Sequence, residues 1–327
     1  MQALVGQQAP FDQGREHLKV LAGLEVTTKS VERSAETIGA DIAQQEQQQS
    51  QRAVQCDLPI AVGQPIPILY VQMDGTGVPV VKKETLGRQS KTAGQPAHTR
   101  EAKLGCVFTQ TTWDQKGFAI RDPESTTYTG AIESAEEFGK RLYREAVKRG
   151  WSRARTRVII GDGAEWIWNL VAEHFPGAIE IVDLYHARQH LWAVVRQLYP
   201  NQDDEQKAWM KVHQKRLLDK GKIEKLVRAL RSINTIHVQV AEKIRGEADY
   251  FARNAERMRY PKFRRQHLFI GSGVIEAGCK SVIGSRLKQS GMFWTVRGAN
   301  AILALRCSHL NGRFENCWED RREARAA

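Results

Sequence analysis

Ile68-Leu69-Tyr70-Val71-Gln72-Met73-Asp74 runs directly into Gly75-Thr76-Gly77. Apolar and β-favouring residues lead up to a carboxylate, and glycines follow it. The pattern predicts a core strand that delivers an acid to the rim of a sheet, with a turn at residues 75–77. Two later stretches share this logic. Arg157-Val158-Ile159-Ile160-Gly161-Asp162-Gly163 is a second apolar run ending in an acid, and Ser272-Gly273-Val274-Ile275-Glu276 opens a helix carrying a third.

Working outward, residues 78–83 predict a second strand and residues 103–113 a third, giving an antiparallel start. The polar stretch 84–101, with Lys91, Gly94, Pro96 and Arg100, is expected to be a hairpin extension. A helix over 134–149 follows. The run 157–162 is apolar almost throughout, which suits a strand buried on both faces. Asp162 then stands where a helix N-cap belongs, ahead of a helix carrying Ile167, Val171 and Phe175 that stops at Pro176-Gly177. Residues 179–183 form a further strand, ending in Asp183. The order is β-β-β-α-β-α-β, with the last strands parallel and the ligand site at their carboxyl ends.

Beyond Tyr185 the periodicity is helical: Leu191, Val194, Val195 and Leu198 share one face, and residues 201–260 are dense in charge. Helices over 274–289 and 296–310 return to the core. At the N-terminus, a helix over 13–22 ends at Gly23. Thr27 or Thr28 then caps another, with Val31, Ala35, Ile38 and Ile42 at helical spacing. The pair suggests a helix-turn-helix unit, with a plain helical hairpin as the equal alternative. Residues 44–51 hold six glutamines, and Pro59, Pro65 and Pro67 mark a linker. The expected layout is a helical N-terminal region over 1–55, the first part of the catalytic core over 56–190, a helical insertion over 191–265, core helices over 266–312 and a charged tail over 313–327.

The chain has 327 residues, with 49 Lys and Arg against 37 Asp and Glu, a formal charge of +12. Such a balance favours a polyanion, nucleic acid ahead of anionic membrane. No stretch approaches the ~18–20 apolar residues of a membrane span, and residues 1–14 lack the pattern of a secretory signal. The five cysteines (Cys56, Cys106, Cys279, Cys307, Cys317) form no CxxC pair. A disulfide framework is not expected, and a reducing cytoplasm is the expected compartment.

Acids that project together from rigid elements suit two-metal phosphoryl transfer, in which divalent ions about 3.5–4 Å apart activate one oxygen and stabilise another. Magnesium fits, because it accepts carboxylates while keeping water and phosphate as ligands. Asp74, Asp162 and Glu276 occupy three such stations. Each has a plainer reading: a turn acid for Asp74, an N-cap for Asp162, and an i,i+4 partner of Lys280 for Glu276. Asp183 rivals Asp162 as the second acid.

Met73-Asp74-Gly75-Thr76-Gly77, Ile160-Gly161-Asp162-Gly163-Ala164-Glu165-Trp166, Asp183-Leu184-Tyr185-His186, and Gly271 to Glu276 with Arg286, Lys288, Gly291, Met292 and Trp294 together resemble a DDE transposase of a bacterial insertion sequence. The likeness is to the ISKra type, related in pattern to the Mutator-like group. It implies an α/β, ribonuclease-H-like mixed sheet with an all-helical insertion. It implies Asp74, Asp162 and Glu276 as metal-binding catalytic acids, with two Mg2+ or Mn2+ ions. It also implies cleavage at the element ends and strand transfer into target DNA. Asp183-x-x-His186 resembles an accessory motif, with His186 either near the scissile phosphate or buried in the core. The implied partners are double-stranded DNA, both terminal repeats and target, and a homodimer or higher synaptic oligomer, with no membrane. The implied place is the bacterial cytoplasm, on the nucleoid when DNA is bound. Lys280, Arg286, Lys288 and Arg297 are candidate phosphate contacts. Trp294 is a candidate for stacking on an unpaired base, with core packing the commoner fate. Relatives of this type carry more chain ahead of the helix-turn-helix region, which keeps a shortened, non-catalytic DNA-binding derivative as the alternative.

Overall fold

The computed structural model describes residues 1–55, 63–89, 96–316 and 318–319. Pro59, Lys91, Gly94 and most of the charged tail lie outside the described residues. Three helices open the chain: α1 (Gln2–Gln8), α2 (Phe11–Ala22) and α3 (Thr28–Val54). The first was not legible as a helix. The third takes in the glutamine-rich stretch and is capped by the Thr27 hydroxyl, which accepts the Ser30 N–H. Val31, Ala35, Ile38 and Ile42 are buried along it. The helix passes so close to the last helix of the chain (Val296–Leu310) that a Cβ on Gly39 would lie 2.0 Å from the Ala301 carbonyl oxygen. Arg286 and Arg306 donate to the carbonyls of Gly6 and Gln7, satisfying the free end of α1. The N-terminal helices are therefore bonded to the core as well as packed on it.

Residues 66–79 form one continuous strand, β1 (Ile66–Pro79), where the sequence suggested two strands around a glycine turn. None of Gly75, Thr76 and Gly77 has positive φ, and the three pair with Lys103, Ala102 and Glu101 of β2 (Thr99–Gln110). The glycines permit close approach instead of reversal: a Cβ on Gly75 would meet the Glu101 carboxylate at 2.7 Å. The third core strand is β5 (Thr127–Ala131), reached after a two-stranded ribbon of β3 (Thr112–Trp113) and β4 (Ala119–Ile120). Three strands of the core sheet precede its first helix: the run expected over 103–113 is largely β2, the strand expected over 78–83 does not form separately, and β5 was not anticipated.

Helix α4 (Ala135–Lys148) is capped by Ser134. Strand β6 (Ala154–Gly161), helix α5 (Glu165–His174) and strand β7 (Ile179–Val182) follow. The sheet order is β5-β2-β1-β6-β7. Strands β1, β2 and β5 are antiparallel neighbours, whereas β1, β6 and β7 run parallel. This is a ribonuclease-H-like mixed sheet. Val158, Ile159 and Ile160 are wholly buried, as a strand covered on both faces requires.

From α6 (Leu184–Leu198) the chain is helical: α7 (Asp203–Val212), α8 (Ile223–Arg231), α9 (Val238–Arg253) and α10 (Tyr260–Arg265). Helix α11 (Gly273–Gly278) continues through a π-helical turn into α12 (Ser285–Leu287), and α13 (Val296–Leu310) closes the core. The segment leading into α11 is fixed by an aromatic cluster. Tyr70 and Phe108 stack at 4.9 Å, Phe269 meets both edge-on, and the Phe269 N–H donates to the Tyr70 hydroxyl. No helix among the described residues is long and apolar enough to cross a membrane.

Candidate active site

The parallel ladder between β1 and β6 pairs Gln72 with Ile160. Asp74 and Asp162 each stand two residues further on, Asp162 just past the end of β6, and the Asp162 charge is felt at Asp74. Each carboxylate spends one oxygen on nearby backbone: Asp74 Oδ1 accepts the Gly75 N–H at 2.7 Å and Asp162 Oδ1 the Ala164 N–H at 2.8 Å. Asp162 thus caps the approach to α5, though the N-cap residue itself is Ala164. Burial pushes the Asp74 carboxyl up. The Asp162 charge adds to the shift, while the Gly75 amide, Cys279 and His186 oppose it. The Cys279 thiol points at Asp74 Oδ2 from 3.7 Å, and its own pKa is pushed up to about 12, first by burial.

Glu276 lies on α11, which is docked over the same face. The buried carboxamide of Gln72, two residues before Asp74, donates to the Gly271 carbonyl and accepts the Ile275 N–H. The Glu276 side chain is exposed and accepts from the Ser272 hydroxyl at 2.8 Å. Among the described residues, no group of three or more His, Cys, Asp and Glu side chains converges closely enough to hold a metal ion. The structure brings Asp74 and Asp162 together and leaves Glu276 on the adjoining helix, turned to Ser272.

Asp183 is fully buried, and both its oxygens are used. One caps α6 by accepting the His186 N–H at 2.7 Å; the other accepts the Ser272 N–H. It ties the end of β7 to the turn that carries Glu276. His186 is half-buried, edge-on to His190 and within electrostatic reach of Asp74. Lys280, Lys288 and Arg297 are exposed, and Lys288 reaches the Thr76 hydroxyl beside the acids. Arg286 has no surface to offer a phosphate. It is wholly buried against the rings of Phe11 and Trp294, and burial lowers its pKa to about 10. Trp294 is buried too, its indole N–H donating to the Leu287 carbonyl. Both side chains belong to the core.

Two positioning residues were missed in the sequence. Gln72 carried a signal, a polar side chain inside an apolar strand. Tyr250 carried none. It comes from α9, 88 residues beyond Asp162, and its hydroxyl donates to the Asp162 carbonyl at 2.9 Å. Gly163 beneath it has φ +94°, and a Cβ there would lie 2.7 Å from the Tyr250 ring.

The acids fit a hard divalent cation. Both ligand atoms would be carboxylate oxygens, and Asp162 Oδ2 has no hydrogen-bond partner among the described residues. Asp74 is raised first by burial and further by the Asp162 charge, and a bound cation would oppose both.

No protein-family model and no curated protein matches the chain. Among solved structures it aligns with the Drosophila P element transposase strand transfer complex, at a TM-score of 0.29 and 10% identity. The alignment covers 98% of this chain and 79% of that one. A likeness that slight carries no weight for function.

Proposed function

We propose that the chain is a divalent-metal-dependent DNA transposase of the DDE, ISKra-like type, cutting DNA at element ends and joining the freed strands to target DNA. The observation that carries this reading is the closeness of Asp74, on β1, to Asp162, just past the end of the adjacent parallel β6, beside a helix bearing Glu276. The net charge of +12 supports a DNA partner. Asp74 and Asp162 would hold the metal, Mg2+ or Mn2+, and Glu276 would join them on leaving Ser272 for a second ion. A metal held there would supply positive charge to an attacking and a departing oxygen. The chain's own residues do the positioning. Gln72 and Asp183 hold the Glu276 helix over the sheet, Tyr250 fixes the Asp162 loop, and Lys280, Lys288 and Arg297 supply charge for phosphates. Paired element ends imply a dimer or larger assembly at work.

The second reading is a DNA-binding derivative that occupies element ends without cutting them. The Glu276 carboxylate, which accepts from the Ser272 hydroxyl and forms no cluster with the other two acids among the described residues, favours it.

Purified protein incubated with labelled DNA carrying the inverted repeats that flank its own coding region, plus magnesium, separates the readings. Nicked and joined products that vanish in Asp74→Ala support the transposase. Binding without cleavage supports the derivative, and cleavage without joining indicates a nuclease only.

A further inference from the structure

Against the turn that leads into α11 lies a cavity of about 560 Å³, within the ~300–1,000 Å³ range of small-ligand sites. Phe118, Tyr185 and Phe269 give it apolar walls, Lys116 and Arg264 give it positive charge, and among the described residues no acidic side chain lines it. Phe118 and Tyr185, both in its wall, are each 59% exposed, so their faces are open to a ligand. The chain links the cavity to the acids in two ways. Gly271 and Gly273 of its wall flank Ser272, the residue that holds Glu276, and Tyr185 directly precedes His186.

The walls are built before any ligand arrives. The turn between β3 and β4 is set by Asp114, whose Oδ1 accepts the N–H groups of Lys116 and Phe118, both at 2.8 Å. His267 Nδ1 donates to the Gly117 carbonyl at 2.9 Å, and Trp113 lies flat on the His267 ring at 4.3 Å. Opposite, the Arg188 guanidinium sits 5.4 Å from the Tyr185 ring while its charge is taken by Asp219. Lys116 and Arg264 form no ion pair among the described residues.

Exposed aromatic faces beside unpaired cations, with no carboxylate between them, complement a flat heterocycle that carries a phosphate. In a duplex the bases are stacked on one another and cannot present a face, so the matching group is a base outside the stack. Resting on the proposed function, we propose that this cavity holds one unpaired base of the DNA strand being processed. The base lies against Phe118 and Tyr185, and its phosphate meets Lys116 and Arg264.

The test uses the full chain and two duplexes of one sequence, one fully paired and one carrying a single extrahelical 2-aminopurine. Affinity is read by anisotropy and stacking by 2-aminopurine quenching. The expected result is tighter binding and quenching for the extrahelical duplex. Phe118→Ala and Tyr185→Ala should each weaken that complex about tenfold, with the paired duplex and the melting temperature unchanged, and Phe118→Trp should restore it. Equal affinity for both duplexes, or an unaffected Phe118→Ala, overturns the base site while leaving DNA binding standing. Failure to bind either duplex overturns the DNA reading itself. Self-association by sedimentation that Phe118→Ala abolishes assigns the face to a second copy of this chain and also overturns the proposal.

Discussion

The carboxamide oxygen of Gln72 accepts the backbone N–H of Ile275 at 3.1 Å, across 203 residues of chain. One uncharged side chain thereby connects the strand of Asp74 to the helix of Glu276. Both partners are buried, so neither has water to fall back on. Gln72→Leu leaves the Ile275 N–H and the Gly271 carbonyl unpaired. We expect a loss of about 1–3 kcal/mol in urea unfolding, together with loss of DNA cleavage. Unchanged stability would show that α11 is held by its apolar contacts alone.

Asp74 is costly to the fold as it stands. Its native pKa is raised, chiefly by burial, so at neutral pH the ionised form is disfavoured in the native state relative to the unfolded chain. Asp74→Asn removes that penalty, and the melting temperature should rise by the equivalent of roughly 0.5–2 kcal/mol while cleavage is abolished. Magnesium should stabilise the wild type and have little effect on the variant. Equal stabilisation of both proteins would place the ion elsewhere.

Tyr250 acts on the second acid from a distance. Its ring stacks on His190 at 3.8 Å, and His190 Nδ1 meets Glu247 at 2.6 Å, so the hydroxyl is held firmly against the Asp162 carbonyl. Tyr250→Phe is expected to cost about 1 kcal/mol of stability and to slow cleavage about tenfold or more through a looser Asp162 loop, with DNA affinity unchanged. A cleavage rate matching the wild type would reduce Tyr250 to a packing role.

His174 gives the fold a pH dependence away from the acids. It is buried, its Nε2 lacks a hydrogen-bond partner, and burial holds its pKa below the ordinary 6.5. The native state therefore carries it neutral, and the unfolded chain takes up the proton first. Its contribution is fully present above about pH 6.5 and is lost as pH falls toward the lower native value. The urea midpoint should drop between about pH 7 and pH 5 in the wild type, and the drop should shrink in His174→Gln. Parallel curves for the two proteins would assign the dependence to other groups.

The amino-acid sequence by itself determined the strands that carry Asp74 and Asp162, because apolar β-branched runs ending in an acid and a glycine are local signals. It also determined the helix of Glu276, the helical run after Tyr185 and the excess of positive charge. Tertiary structure decided what each acid faces. The parallel register of β1 on β6 sets Asp74 beside Asp162, and no local pattern encodes register between strands 88 residues apart. Asp183 looked like a rival ligand until burial showed both its oxygens engaged, one by His186 and one by Ser272. Arg286 looked like a phosphate contact, yet it is enclosed by Phe11 and Trp294 from opposite ends of the chain. Gly75 and Gly77 looked like a turn because glycine permits one. The glycines remain extended because they pair with Lys103 and Glu101 on the facing strand, a constraint visible only once β2 is in place. A side chain's chemistry is local, but its partners are set by elements far away in sequence.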